Sequence, residues 1–184
     1  MTDKDLVKGC IKQDRRSQKA LYQSYAPYAY SVAKSYIKDT NLIQDIMQES
    51  FTSIFKSIDK FDSSKGNLKS WIAKIVTYRA IDFLKLYKKI SIDHALNVVD
   101  DIVEEDFAYL DNYTKGDIEA LLKHMPSGYR TIFLLSAIDE YSHVEIGEML
   151  DITATTSRSQ YHRSLKWIKK HISLTPNCIT NEAL

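Results

Sequence analysis

Arg158, Ser159, His162 and Arg163 follow one another at intervals of one and three residues, a spacing that lets them share one side of a helix. Their side chains donate to phosphate oxygens and to base edges, the chemistry a helix needs inside a DNA major groove. Thr155 and Thr156 add hydroxyls one turn earlier. The same residues also suit a basic, solvated helix in an ordinary bundle. A second group, Asp45, Gln48, Glu49 and Thr52, has no nearby acid, base or pocket in the sequence to suggest catalysis. It is either a hydrated face or a surface on which a protein partner docks. A third, Phe61, Lys65, Asn67, Lys69, Trp71, Lys74, Tyr78 and Arg79, alternates aromatics with cations. That mixture suits single-stranded DNA, whose bases stack on rings while lysines meet phosphates. It equally suits a core tryptophan on a solvated basic helix.

The elements that must position these groups are all helical. Ser142 with Glu145 forms a capping box at a helix start. Thr153 opens the next helix, with Tyr161, Leu165, Ile168 and Ile172 as its inward stripe. Two short helices joined by a tight turn, the second basic, predict a helix-turn-helix. Upstream, Ile43, Ile46, Met47, Phe51, Ile54, Phe55 and Ile58 recur every three or four residues and predict an amphipathic helix over 41–58, with the second group on its polar face. Leu6, Val7 and Ile11 share a face of a first helix. A second, through Leu21 and Tyr25, is interrupted at Pro27, where a further helix begins. Residues 61–67 predict a flexible loop, followed by a basic helix from Leu68 to about Lys88.

Between Ser91 and Lys115 periodicity lapses and acids dominate, which predicts a flexible linker. Helical order restarts at Ile118, and Pro126 opens a helix leading into the helix-turn-helix. The expected organisation is all-α: a domain over 1–90, an acidic flexible linker over 91–115, a helix-turn-helix domain over 116–174 and a disordered tail over 175–184. At 184 residues and 44% hydrophobic composition there is ample material for a core. The net charge of +1 hides segregation, with cations at 56–89 and 158–170 and acids between them. Each basic face must act locally, so affinity for duplex should be modest and steeply salt-dependent. Two distant cysteines and five scattered histidines imply neither disulfide, metal nor cofactor. No apolar run suits a membrane span or signal peptide, so a cytoplasmic location is expected. No phosphate loop, nucleophile elbow or H-E-x-x-H pattern points to an enzyme.

In order along the chain, Asp14-Arg15-Arg16, Leu21-Tyr22 and Tyr25-Ala26-Pro27 precede a D-x-x-Q-E-x-F stretch, Asp45 to Phe51. Phe61-Asp62, Trp71-Ile72-Ala73-Lys74-Ile75 and Ala80-Ile81-Asp82-Phe83-Leu84-Lys85 follow. Leu122 to Pro126, Tyr129-Arg130 and Glu145-Ile146-Gly147-Glu148-Met149-Leu150 complete the series. Taken together these motifs resemble the extracytoplasmic-function branch of bacterial sigma factors, over nearly the whole chain. The resemblance implies a subunit that binds core RNA polymerase and directs promoter-specific initiation. Asp45, Gln48, Glu49 and Thr52 would meet the clamp helices of the largest subunit, and the second domain the flap. Phe61, Lys65, Asn67, Lys69, Trp71, Lys74, Tyr78 and Arg79 would melt and read the downstream (-10) promoter element, capturing an extruded base at an unstacking cost of a few kcal/mol. Thr155, Thr156, Arg158, Ser159, His162 and Arg163 would read the upstream (-35) element as duplex, a bidentate arginine–guanine pair supplying about 1 to 3 kcal/mol of discrimination.

The chain departs from the pattern in three places. Val76-Thr77-Tyr78 stands where members commonly have Ala-Arg-Asn, Gln160 where arginine is frequent, and Asp151 in place of a turn glycine. The last two changes lower the positive charge offered to DNA, which leaves room for a recruiting partner; an anti-sigma factor is a further partner the resemblance allows. Two other classes compete. A stand-alone helix-turn-helix regulator explains Ser142 to Ile172 but gives Trp71 no purpose, and a helical adaptor would only dock proteins.

Overall fold

The computed structural model describes residues 1–86 and 115–172. The expected linker (apart from Lys115), the expected tail over 175–184 with Cys178, and Lys88 and Lys89 lie outside them. Among the described residues all regular structure is helical, in two compact units, one built from helices before residue 87 and one from helices after residue 114.

The first unit holds α1 (Asp3–Ile11), α2 (Arg15–Tyr36), α3 (Thr40–Ser57) and α4 (Leu68–Leu86). Each start has a local chemical cause. Thr2 and Asp5 close a capping box on α1, and the Asp14 and Asp39 carboxylates accept from the first free N–H groups of α2 and α3. Asn67 Oδ1 accepts from Ser70 N at 2.7 Å and so caps α4. Leu21, Ile43, Ile46, Ile54, Ile72 and Ile81 are fully buried between these helices. At about 1.5 to 3 kcal/mol for each such side chain, this core outweighs local irregularities.

Pro27 shows that balance. It does not divide two helices but sits inside one 22-residue helix, α2. Its ring removes one backbone bond, yet Ala29, Ala33 and Tyr36 beyond it are buried, and their packing keeps the helix running. On α1 the inward residues are Leu6 and Cys10, whereas Ile11 is exposed. The expected loop over 61–67 contains a turn: Asp62 Oδ1 accepts from Ser64 N at 2.9 Å and from Ser64 Oγ at 2.7 Å, and Lys65 N donates to Asp62 O.

The second unit holds α5 (Lys115–His124), α6 (Ser127–Phe133), α7 (His143–Leu150) and α8 (Ala154–Ile172). A single π-type turn, Leu134–Ile138, prolongs α6. Leu121, Met125, Phe133, Leu165, Ile168 and Ile172 form its apolar cluster, where α5 and α6 close on the C-terminal half of α8. The box at Ser142 is present, with Glu145 reaching back to Ser142 N at 2.8 Å. Thr153 caps α8 by accepting from Thr156 N at 3.0 Å. Between α7 and α8 the chain reverses at Asp151, which adopts the left-handed conformation (φ 57°, ψ 43°) that aspartate tolerates better than most residues. The turn is tight because Gly147 lacks a side chain: a Cβ there would stand 2.7 Å from the Ile152 carbonyl oxygen.

Candidate nucleic-acid and polymerase interfaces

The inner face of α8 is polar where it meets α7 and apolar further along. Ser157, Gln160 and Ser164 are buried, and Leu165, Ile168 and Ile172 continue the stripe. Gln160 is only 3% exposed. In this chain the register faces the interior of the unit, so Gln160 itself is not part of the outward surface where a lost DNA contact was expected. Tyr161 lies half-buried at the edge of the stripe, stacked on Phe133 with ring centroids 6.4 Å apart.

The opposite face carries the expected donors. Thr155, Ser159 and His162 fall at i, i+4 and i+7 and share one outward line, flanked by Arg158 and Arg163. Thr155 and Arg158 are exposed; Ser159, His162 and Arg163 are half-buried. Thr156 is differently employed, its hydroxyl 2.8 Å from that of Thr153 within the cap. Lys166 is exposed and continues the outward line, a position that period alone discloses.

Sequence reading missed the residue that ties the two helices together. His143 Nδ1 lies 2.9 Å from Ser157 Oγ, and its ring meets Tyr161 with centroids 5.6 Å apart. Burial, then the charges of Arg158 and His162, hold its pKa below the ordinary histidine value of 6.5. The neutral ring is therefore the native form. Because the unfolded chain binds the proton more readily, this linkage favours folding above about pH 6.5 and is lost as pH falls through that value toward the lower folded pKa. We expect the thermal midpoint of the second unit to fall between pH 7 and pH 5.5, with the His143→Gln variant losing part of that pH dependence. An equal dependence in the variant would remove His143 as its source.

In the first unit Asp45, Gln48, Glu49 and Thr52 are all exposed and form a ridge along α3. Thr52 Oγ1 donates back to Gln48 O at 2.8 Å, which fixes its rotamer. On the side toward α2 the ridge borders a mostly apolar groove of about 520 Å³ walled by Tyr22, Tyr30, Met47, Phe51 and Phe55. Tyr22 packs on Phe51 at 4.6 Å between centroids while remaining 47% exposed.

The third group divides. Trp71 is half-buried and meets Phe61 edge-on at 5.7 Å, and exposed Lys74 and Tyr78 follow three and seven residues later on the same side of α4. Lys65 is exposed in the adjoining turn. Asn67 serves as the helix cap, and Lys69 places Nζ 4.4 Å from the centre of the Tyr28 ring, a cation–π contact. Arg79 is turned toward α3, where Nη2 donates to Ser53 Oγ at 3.2 Å. No cluster of metal-ligating side chains occurs among the described residues, nor any helix long and apolar enough to cross a membrane.

Residues 21–89 match the family model described as Sigma-70 region 2, and residues 115–168 that described as Sigma-70, region 4. The chain is 31% identical to the RNA polymerase sigma factor SigV of Bacillus subtilis (strain 168), covering 76% of this chain and 81% of that protein. It is 26% identical to the ECF RNA polymerase sigma factor SigW of the same organism, over 94% of this chain and 97% of that one. The solved structure of CnrH in complex with the cytosolic domain of CnrY aligns with a TM-score of 0.49 at 18% identity, covering 94% of this chain and 97% of that chain.

Proposed function

The chain belongs to the extracytoplasmic-function branch of the sigma-70 family, and from that premise we propose how its surfaces divide the work of starting transcription. Members of the family are initiation factors that bind core RNA polymerase and promoter DNA and are not themselves enzymes. The α3 ridge of Asp45, Gln48, Glu49 and Thr52 docks on the polymerase clamp helices. Phe61, Lys65, Trp71, Lys74 and Tyr78 open the downstream element and hold its unpaired strand, on a platform that Asn67 and Lys69 shape and at whose edge toward α3 Arg79 stands. Outward residues of α8, Thr155, Arg158, Ser159, His162 and Arg163, read the upstream element in the major groove, with Thr156 ordering the start of that helix. The domains run over 1–90 and 116–174, joined by an acidic segment. Such a protein works in the cytoplasm, where polymerase and chromosome meet.

One observation supports this division best. The same chain presents a groove-entry helix in the unit matched to region 4 and, in the unit matched to region 2, an exposed polar ridge distinct from the aromatic–cation face of α4. A stand-alone regulator needs only the first. The test is transcription by core enzyme on a pool of random promoters, with and without the purified chain. Transcripts enriched for two separated motifs, appearing only when both are present, are expected. Selection of duplex sites by the chain alone, with no association to core, would favour the regulator.

A further inference from the structure

Side chains along α4 return to the same direction every three to four residues. Trp71, Lys74 and Tyr78 therefore look out together, and Arg79, one residue beyond Tyr78, is rotated away by about 100°. That rotation carries it to the seam with α3. Its Nη2 donates to Ser53 Oγ at 3.2 Å, and its Nη1 lies 3.5 Å from Asp82 Oδ2 in an ion pair whose side chains are 40% and 60% exposed. Arg79 and Ser53 then line a groove of about 250 Å³ with Gln48, Glu49 and Thr52. Three members of the α3 ridge thus share a surface with Arg79. The ridge has an apolar flank toward α2 and a polar, charged flank toward α4.

We propose that Arg79 is a contact of the polymerase-docking face and not of the strand-opening face, and that it receives a carboxylate of the docking partner. The proposal rests on the reading of α3 as the docking ridge. A guanidinium carries five N–H donors in a fixed fork. Ser53 and Asp82 engage one donor each, so the group is held in place with donors to spare. Holding it beforehand reduces the ordering cost at docking, and a forked guanidinium–carboxylate pair is the strong, directional contact available to it. The ion pair to Asp82 is exposed and therefore weak, so a partner carboxylate can share or displace it. Glu49, in the same groove, complements the arrangement by offering a negative charge to a basic side chain of the partner.

Four full-length variants separate the possibilities: Arg79→Ala, Arg79→Gln, Glu49→Lys as the docking reference and Trp71→Ala as the strand-opening reference. Affinity for core polymerase is read by fluorescence anisotropy, and strand opening by permanganate reactivity at saturating sigma. Both Arg79 variants should bind core about fivefold to tenfold more weakly, yet open the promoter to within twofold of the parent once saturated. Arg79→Gln keeps a polar side chain with an N–H donor at the seam and removes the charge, so it tests the charge even if Arg79→Ala loosens the seam. Normal core affinity in both variants, with Glu49→Lys impaired, overturns the inference and spares the docking ridge. Normal affinity in Glu49→Lys as well overturns the ridge itself. A loss of opening at saturation, as in Trp71→Ala, returns Arg79 to the DNA face.

Discussion

Replacing Gly147 with alanine should abolish recognition of the upstream element while leaving the α3 docking ridge of the first unit intact. The added Cβ would stand 2.7 Å from the Ile152 carbonyl and 3.4 Å from Ala154 N, both of them backbone atoms with no rotamer to swing aside. Relief requires α7 and α8 to separate at the turn that sets their mutual angle. Overpacking costs about 1 to 3 kcal/mol, and a clash with backbone atoms alone puts this site at about 3 kcal/mol. For a unit of this size that corresponds to a fall in thermal midpoint on the order of 15 °C, and a helical unit so small has little stability in reserve. The measurement is calorimetry or circular dichroism of the full chain, which should show the second unit melting early and the first unchanged. Promoters that depend on the upstream element should lose activity while docking through the α3 ridge persists. A variant with a normal midpoint would mean that the turn relaxes cheaply, and that Asp151 alone sets its geometry. Substituting Gly66 makes a useful contrast. Its φ of 151° also disfavours a side chain, but no atom lies within 4 Å of the added Cβ, so only local conformational strain is expected.

Interactions within one helical turn are legible in the sequence, and contacts between distant residues are not. Caps at Ser142 and Thr153 and the period of α3 depend on residues a turn apart, so they could be read without knowing the neighbours. The polar ridge followed from the same period, because its apolar counterpart was unambiguous. Pro27 misleads because its local penalty is visible in sequence, whereas the burial of Ala29 and Ala33 that offsets it is not. Gln160 looked like a lost DNA contact because motif comparison aligns letters without directions; only the packing of α8 shows that this register points inward. Cys10 displaced Ile11 on α1 for the same reason. Asp151 in a left-handed turn and the demand for glycine at position 147 are two halves of one geometry, written four residues apart. His143 and Ser157 are separated by 14 residues and carry no periodic signal. Arg79 lies in a basic segment, and its turn toward Ser53, about 100° of helical rotation from Tyr78, leaves no mark in composition.

The second large effect is expected at Trp71. Its ring meets Phe61 edge-on at 5.7 Å and stays half-buried, while the fully buried core of the first unit is made by other side chains, Ile43, Ile46, Ile54 and Ile72 among them. Removing the indole therefore leaves that core in place, at a loss of about 0.5 to 1.5 kcal/mol for the aromatic pair beyond the area uncovered. The functional loss should be larger. Opening a promoter requires unstacking bases, each step costing a few kcal/mol, and an aromatic face returns about 1 to 3 kcal/mol per stacked base. Since 1.4 kcal/mol is a factor of ten, Trp71→Ala should lower open-complex formation about tenfold or more, with core affinity unchanged. Trp71→Phe retains an aromatic face beside Phe61 and should recover most of the activity, a rescue that a purely space-filling role would also permit. Binding to a pre-opened promoter bubble makes the distinction: stacking predicts that the alanine variant binds it more weakly even where no duplex must be melted. If that variant holds the bubble as tightly as the parent and opens duplex promoters at the normal rate, the indole serves Phe61 and the fold alone, and the unpaired strand must lie on Tyr78 and Lys74 without it.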